Sequence, residues 1–205
     1  MTERGMIFNA EMVRAILDGR KTQTRRPVKF PVHDKNLGCE LAGNELAGEL
    51  SAGNYLNSAF GRPGDCIWVR ETWSSDFANY YPNDRVWYAA DNNCRLDIEV
   101  VDGVRGIYSP ESDVHVPFRW RPSIHMPRWA SRILLEITDV RVERLKSISD
   151  GDAIREGCST ADMKSGDCVA DVFARLWASI YGSDSWNANP WVWVIEFKRV
   201  EGGAA

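Results

Sequence analysis

The sequence predicts an α+β fold that is mostly β, with short helices around a small β-barrel and with inserted loops. Three observations support this prediction. Segments with strand-like patterns outnumber helical segments, the helical segments are short, and glycine or proline residues separate many of them. A doubly wound sheet would need longer helices alternating regularly with the strands, so we favour the barrel.

The composition is that of an ordinary globular protein and fits one domain over residues 1–200. The chain has 205 residues, 44% of them hydrophobic and 26% charged, which excludes a disordered chain, a collagen-like fibre and a coiled coil. Residues 1–20 lack the apolar core of a signal peptide, and no apolar run reaches the roughly 20 residues that cross a bilayer. We therefore expect a soluble, cytoplasmic protein with no membrane partner.

The cysteines predict reduced thiols and no metal centre. There are five of them, an odd number, and no two are spaced as Cys-x-x-Cys. His33 and Cys39 are close enough in sequence to share a zinc ion, but clusters of zinc ligands usually show tighter spacing. We expect neither a metal nor a cofactor.

The first predicted element is a short helix between Asn9 and about Asp18. Asn9 is a favourable N-cap, and Gly19 suits the left-handed conformation that ends many helices. The apolar side chains that recur at helical spacing on one face are Met12, Val13, Ile16 and Leu17.

Residues 31–60 predict a surface segment that is inserted into the fold and partly helical. The motif Glu-Leu-Ala-Gly occurs at residues 40–43 and again at 45–48, but the repeat is too short for a solenoid.

The middle of the chain predicts several strands. The turn Gly61–Asp65 precedes the first strand, and Asp102-Gly103 suits a hairpin turn. The expected strands cover residues 66–73, 86–90, a hairpin over 95–108, and 133–145. One face of the first strand carries Ile67, Val69, Glu71 and Trp73.

The C-terminal third predicts two helices and a buried strand. Ser149 can cap a short helix that ends before Gly157. Apolar residues at helical spacing predict a longer amphipathic helix over 169–180. Asn189-Pro190 interrupts the chain, and the dense apolar run at 191–200 predicts a strand buried on both faces.

Basic charge is concentrated in two segments, although the net charge is −4. Residues 20–29 contain Arg20, Lys21, Arg25, Arg26 and Lys29 and no acidic residue. Residues 119–132 contain four arginines and again no acidic residue. Two interpretations stay open. The segments bind an anionic ligand if they meet in the fold, or they are two solvated loops that never meet.

Five short segments carry recognisable motifs in a fixed order. They are Gly19–Arg26 (GRKTQTRR), Gly64–Trp73 (GDCIWVRETW), Arg121–Ser131 (RPSIHMPRWAS), Ile154–Gly157 (IREG) and Trp177–Tyr181 (WASIY), and the terminal strand follows them. Together they resemble the ASCH domain (activating signal cointegrator 1 homology), a relative of the PUA fold. The third segment resembles the longer phage and prophage ASCH proteins in particular.

This resemblance implies a five- or six-stranded barrel with a cleft that binds a nucleoside, a nucleotide or RNA. One short bacterial branch of the family is an amidohydrolase that removes the acyl group of N4-acetylcytidine. Its working lysine, threonine and glutamate match Lys21, Thr24 and Glu156 here, and Arg26 also matches. This chain is about twice as long as members of that branch. The resemblance leaves out residues 31–60 and 76–113, which implies two insertions that reshape or cover the cleft.

Amide hydrolysis needs a nucleophile, a proton acceptor and stabilisation of the developing oxyanion. Lys21 can serve as the base for the Thr24 hydroxyl if burial or a neighbouring cation lowers its pKa. Glu156 would then relay the proton to the leaving amine. Alternatively, Thr24 only orients the substrate and Glu156 activates a water molecule.

The remaining candidate residues would bind the ligand. Arg20, Arg25 and Arg26 surround Lys21 in sequence, and Glu71 and Trp73 end a strand that can line the same cleft. The second basic segment combines cations, a hydroxyl, an imidazole and an indole, a mixture that suits a stacked base with a nearby phosphate or ribose. These residues are Arg121, Ser123, His125, Arg128 and Trp129.

Two alternative functions stay open beside the hydrolase. The first is a non-catalytic protein that binds RNA or single-stranded nucleic acid, as a phage factor would. The second is a ribonuclease on the same scaffold, for which His125 is the first residue to test.

Overall fold

The computed structural model describes residues 1–75, 86–91, 98–109 and 113–200. The chain divides into two units. Among the described residues, unit 1 comprises Met1–Arg4, Ala15–Ile67 and 135–200, and unit 2 comprises Gly5–Arg14 and the described part of Trp68–Leu134. The prediction of a single domain over residues 1–200 stays a prediction.

Short strands outnumber helices, as the sequence indicates. The strands are β1 (Glu3–Ile7), β2 (Gln23–Pro27), β3 (Val32–His33), β4 (Glu40–Leu41), β5 (Cys66–Arg70), β6 (Trp73–Ser74), β7 (Trp87–Tyr88), β8 (Ile98–Val101), β9 (Val104–Ser109), β10 (Val114–Pro117), β11 (Leu134–Arg144) and β12 (Trp191–Arg199). The helices are α1 (Ala10–Leu17), α2 (Gly43–Ser51), α3 (Asp150–Arg155), α4 (Val169–Tyr181) and α5 (Ser183–Asn187). No helix in the described part of the chain has the length and apolar character to span a membrane.

The main sheet has five strands in the order β1-β5-β11-β12-β2. β12 is antiparallel to both of its neighbours, β11 and β2. Strands β1 and β2 are the edges of this order, and no pairing among the described strands joins them. The α+β class is confirmed, while the closed barrel stays a prediction.

The helix ends follow the local rules that the sequence indicates. The backbone N–H of Met12 donates to Oδ1 of Asn9 at 2.8 Å, which confirms the N-cap of α1. The N–H of Asp152 donates to Oγ of Ser149 at 3.1 Å, which confirms the cap of α3. Gly157, just past α3, has a φ of +95°, a conformation that favours glycine.

The core of unit 1 lies between α3, α4 and one face of β12. Phe173 and Trp177 of α4 pack with Val192 and Val194 of β12 and with Leu145, and all five are nearly fully buried. The other face of β12 is also buried, so the prediction of a strand buried on both faces is confirmed. Helix α5 was not expected from the sequence.

The segment 31–60 is mostly exposed, as expected of a surface segment, but a few of its side chains are buried in unit 1. Its interpretation as an insertion stays a prediction. The segment contains the pair β3–β4 and the helix α2, so the expectation of partial helix is confirmed. Leu46 and Leu50 of α2 are buried. A Cβ placed on Gly43 would lie only 2.3 Å from Nε1 of Trp191, so α2 packs directly against the start of β12.

Unit 2 contains a three-stranded sheet in the order β10-β9-β8. The hairpin between β8 and β9 turns at Asp102 and Gly103, whose φ angles of 52° and 78° are typical of a tight hairpin turn. Its predicted start at residues 95–97 lies outside the described residues, as do 76–85 and 110–112 of the predicted second insertion. The strand expected over 66–73 is interrupted, because β5 ends at Arg70 and β6 begins at Trp73.

Candidate functional site

Two of the three residues predicted to be catalytic are in direct contact in unit 1. Nζ of Lys21 lies 2.7 Å from Oε2 of Glu156, and it also donates to the backbone carbonyl of Glu156 at 2.8 Å. The Lys21 side chain is 0% exposed and the Glu156 side chain 3%. The fold therefore brings together a cation and a carboxylate that are 135 residues apart.

Local backbone geometry holds this pair in place. Glu156 directly follows α3 and donates its N–H to the carbonyl of Asp152 at 2.8 Å. Lys21 donates its backbone N–H to the carbonyl of Ala15 at 2.9 Å. The next residue, Thr22, donates its N–H to the backbone carbonyl of Arg155 at 2.8 Å. The basic segment and the end of α3 are thus joined through backbone as well as side-chain contacts.

Gly157 allows the backbones to approach closely beside the pair. A Cβ at this position would lie 3.2 Å from Cβ of Ala15 and 3.3 Å from Cβ of Lys21. Its positive φ is also a conformation that other residues rarely adopt. The close packing beside Lys21 and the positive φ therefore both favour glycine at this position of the Ile-Arg-Glu-Gly motif.

Arg25 supplies a second cation to Glu156. Its Nη1 lies 3.3 Å from Oε1, so each carboxylate oxygen faces a cation. Its Nη2 lies 3.4 Å from Oδ2 of Asp152 and 3.5 Å from Oε2 of Glu143. The guanidinium also lies 5.8 Å from the ring centre of Phe173. Arg25 therefore links the pair to a wider set of charges.

These outer charges form a network on the same side of unit 1. Arg141 pairs with Glu143 and Asp139 and lies 2.6 Å from Glu196. Arg155 lies 2.6 Å from Asp152. Burial alone would raise the pKa of Asp152, but hydrogen bonds from Ser149 and Arg155 lower it to about 2.

Burial lowers the pKa of the Lys21 ammonium, and the charge of Arg26 lowers it further, while Glu156 opposes both effects. This direction is the one that a general base requires, because a lysine can accept a proton only in its neutral form. With Glu156 at hydrogen-bond distance, the two groups can exchange a proton directly. The arrangement is therefore capable of acid–base chemistry.

Thr24 lies apart from this pair. It is buried in β2, opposite Ile195 of β12. Because successive residues of a strand project to opposite faces, Thr24 projects away from the face that carries Arg25. Among the described residues, its hydroxyl is hydrogen-bonded to neither Lys21 nor Glu156. The structure thus joins two members of the predicted triad and not the third.

The first basic segment is not a solvated loop, which corrects one of the two interpretations of its charge. Lys21 and Arg25 are buried, and residues 23–27 form β2. Arg20 is exposed and pairs with Asp18 at 3.1 Å. Arg26 is partly buried and follows Arg25 on the opposite face of the strand.

Arg26 lines a cavity of about 540 Å³ in unit 1. The residues that define its chemistry are two cations, an amide and three aromatic rings: Arg26, Lys29, Asn57, Phe60, Tyr181 and Trp193. Sequence reasoning missed Phe60, Tyr181 and Trp193 as cavity residues. One signal was available for Trp193, since antiparallel pairing of the terminal strand with the basic segment sets it opposite Arg26.

In unit 2, three of the predicted binding residues lie together. Trp73 and Arg121 exchange two backbone hydrogen bonds, at 3.2 and 2.8 Å, and the Arg121 guanidinium lies 5.3 Å from the Trp73 ring centre. The Trp129 ring meets Trp73 edge-on at 5.7 Å. Trp73 is buried, whereas Trp129 is 65% exposed and presents its indole to solvent.

The other candidates of the second basic segment lie in short 3-10 turns. Ser123 and His125 belong to one turn, with Ser123 partly buried and His125 exposed. Arg128 begins the next turn and is partly buried. Met126, between the two turns, packs with Trp73 and Ala130 in the core of unit 2.

Glu71 is buried in unit 2 and fully engaged by Arg132. Nε and Nη2 of Arg132 each lie 3.0 Å from a different oxygen of Glu71, a bidentate arrangement. The same guanidinium binds Asp91 and stacks on the ring of Tyr88 at 3.9 Å. Burial raises the pKa of Glu71, although Arg132 opposes this effect. The sequence did not single out Arg132 as its partner.

The described residues contain no group of three or more histidine, cysteine, aspartate or glutamate side chains arranged to hold a metal ion. Cys39, Cys66, Cys158 and Cys168 are free thiols, which confirms the expectation for these four. Cys94 lies outside the described residues.

Comparisons with known proteins leave the family open. No protein-family model and no curated protein matches the chain. Among solved structures, the chain is similar to the crystal structure of protein EF3133 from Enterococcus faecalis V583, of the family model DUF984. The match has 10% sequence identity, covers 98% of this chain and 81% of that chain, and has a TM-score of 0.39. A likeness this loose carries no weight for fold or function.

Proposed function

We propose that this chain is an ASCH-type, PUA-like protein that binds a nucleoside or nucleotide beside its barrel and hydrolyses the N4-acyl amide of a modified cytidine. The observation that carries the proposal is the Glu156 carboxylate, held by Lys21 at one oxygen and Arg25 at the other. All three residues occupy positions of the motifs that resemble the family. Their meeting in unit 1 supports a functional role for those motifs.

In the proposed reaction, a water molecule adds to the acyl carbon and the C–N bond then breaks. The Lys21–Glu156 pair accepts a proton from the water and delivers a proton to the N4 leaving group, so the products are a carboxylic acid and cytidine. The geometry favours water over Thr24 as the nucleophile, because the Thr24 hydroxyl contacts neither member of the pair. The pair is enclosed in the free protein, so this reaction requires that substrate binding open a path to it.

The test is hydrolysis of N4-acetylcytidine and related N4-acylcytidines, followed by mass spectrometry of the products. Lys21→Met and Glu156→Gln should each reduce turnover by about 100-fold or more, the usual scale of general acid–base catalysis. Thr24→Val should retain most activity if water is the nucleophile. Glu136→Gln, which removes an ion pair with Lys198 elsewhere in unit 1, is the matched control and should remain active.

Two results would contradict this proposal. One is full turnover by Glu156→Gln. The other is no turnover of any N4-acylcytidine by the folded wild-type protein. Circular dichroism of every variant establishes that lost activity does not reflect unfolding.

A second candidate function, binding of RNA or single-stranded nucleic acid, is favoured by the exposed indole of Trp129. It is 65% exposed and directly follows Arg128 in sequence, and bases stack readily on such rings. Trp129→Ala should weaken binding of a short RNA about tenfold, and affinity should fall steeply with salt. Tyr108→Ala, at another exposed aromatic of unit 2, is the control. Salt-independent affinity would exclude this function.

A further inference from the structure

We propose that the cavity of about 540 Å³ in unit 1 binds a nucleoside 5′-monophosphate, with its ring among Phe60, Tyr181 and Trp193 and its phosphate at Arg26 and Lys29. Lys21, Arg25 and Glu156 do not line this cavity, so the assignment goes beyond the proposed function. It rests on that function only for the choice of a nucleotide among aromatic anions. It names the phosphate as a required part of the ligand.

The cavity wall is built by strand register. Trp193 of β12 is directly opposite Arg26 of β2, and residues opposed across an antiparallel pair project to the same face. The indole and the guanidinium therefore stand side by side on one face of the sheet. This face is not the one that carries Arg25, which faces Glu156.

Aromatic side chains close the other walls. The Phe60 ring meets Trp193 edge-on, with ring centres 5.8 Å apart. Tyr181 ends α4, where its ring lies 4.4 Å from that of Trp177. Trp177 is itself buried in the core, so Tyr181 is held by packing. A planar ligand ring would meet surfaces that are already positioned, which limits the entropy lost on binding.

The polar lining is cationic. Arg26 and Lys29 contribute two positive charges, and none of the described residues that line this cavity is acidic. The Asn57 amide is occupied by other protein groups: it donates to Asp34 at 3.1 Å and to Glu49 at 2.8 Å. The cavity therefore offers rings and positive charge, and the ligand with complementary chemistry is an aromatic ring that bears an anion.

The volume of the cavity favours such a ligand over smaller anions. Cavities that enclose small organic ligands typically hold roughly 300–1,000 Å³, and inorganic phosphate alone would leave most of this one unfilled. The segment 31–60 also contributes to this cavity, because Phe60 and Val32 form part of its wall. In this assignment, the segment determines which ring the cavity accepts.

The experiment is isothermal titration calorimetry of the full chain with CMP, UMP, AMP and GMP, their nucleosides, phenyl phosphate and inorganic phosphate. At least one nucleotide should bind at least tenfold more tightly than its nucleoside, and phenyl phosphate should bind more tightly than inorganic phosphate. Lys29→Ala should weaken nucleotide binding by about 3- to 10-fold and leave nucleoside binding unchanged, as expected for one exposed charge contact. Phe60→Leu should weaken both by about tenfold.

Lys164→Ala, which removes an exposed lysine of unit 1 away from the cavity, is the matched control and should bind as the wild type does. Equal binding of nucleotide and nucleoside, equal effects of Lys29→Ala and Lys164→Ala, or no binding of any nucleotide at millimolar concentration would each overturn the assignment. The outcome is independent of catalysis. Nucleotide binding without hydrolysis of any N4-acylcytidine would remove the hydrolase proposal and leave this site standing.

Discussion

Lys21 and Glu156 form an ion pair at 2.7 Å inside unit 1, with almost no exposure of either side chain. Charges that leave water lose hydration energy, and their attraction offsets this loss only when the geometry is good. Here the ammonium also binds the Glu156 carbonyl, and Arg25 approaches the second carboxylate oxygen. The stability of unit 1 and its proposed chemistry therefore depend on the same contacts.

Removing one partner of this pair should destabilise the protein more than removing both. Lys21→Met should cost about 3 kcal/mol at pH 7, because it leaves the buried Glu156 with one cation instead of two. Glu156→Gln should cost less, because burial already lowers the pKa of Lys21 and the amine can release its proton. Urea unfolding of both single variants and the double variant measures the coupling. Losses that add to within about 0.5 kcal/mol would show that the pair contributes no coupling energy.

The pKa of Asp152 predicts a loss of stability in acid. It is about 2 in the folded protein against an ordinary 3.8, so folding is favoured while the carboxylate is charged. This contribution, about 2 kcal/mol, is complete above about pH 4 and disappears as the pH falls to about 2. Asp152→Asn should therefore be less stable than the wild type at pH 7, and the difference should vanish near pH 2. Asp162→Asn, at an exposed position of unit 1, serves as the control in the same pH series.

The pKa shift of Glu71 in unit 2 has the opposite direction to that of Asp152. Burial raises the pKa of Glu71 even with Arg132 bound. The folded protein therefore takes up a proton at Glu71 more readily than the unfolded chain does. Arg132→Met should cost about 3 kcal/mol at pH 7, because it leaves a buried carboxylate without its cation. The loss should shrink as the pH falls, because Glu71 then takes up a proton and no longer leaves a buried charge. Unfolding by urea at pH 5, 7 and 8 provides the measurement, and a loss that is constant with pH would refute the explanation.

Alanine variants of Gly157 and Gly166 distinguish the effect of backbone strain from the effect of contact with Lys21. Both have a positive φ, +95° and +88°. In the described part of the chain, a Cβ placed on Gly157 would have neighbours within 4 Å, at Ala15 and Lys21, whereas one placed on Gly166 would have none. Replacing either with alanine should cost about 1 kcal/mol through backbone strain. Gly157→Ala should cost about 1 kcal/mol more, because the added methyl crowds Lys21. Thermal unfolding compares the two variants, and equal losses would show that the contact has no effect.

Local sequence patterns predicted the elements whose interactions are local. The caps at Asn9 and Ser149 join residues three positions apart, and the hairpin at Asp102-Gly103 depends on two backbone angles. Such features follow from residue type and spacing, and the structure confirms them. The interruption after Arg70 was missed because the alternation of buried residues continues through it to Trp73.

The sequence by itself determined the α+β class, most of the strands and helices, and, through the resemblance of its motifs, Lys21 and Glu156 as candidates. Only the tertiary structure decided which groups meet: Arg25 at Glu156, Arg132 at Glu71, and Phe60 beside Trp193 and Arg26. The physical reason is the distance along the chain. A cap or turn is stabilised within a few residues, whereas these contacts depend on strand register and on packing between segments that are distant in sequence.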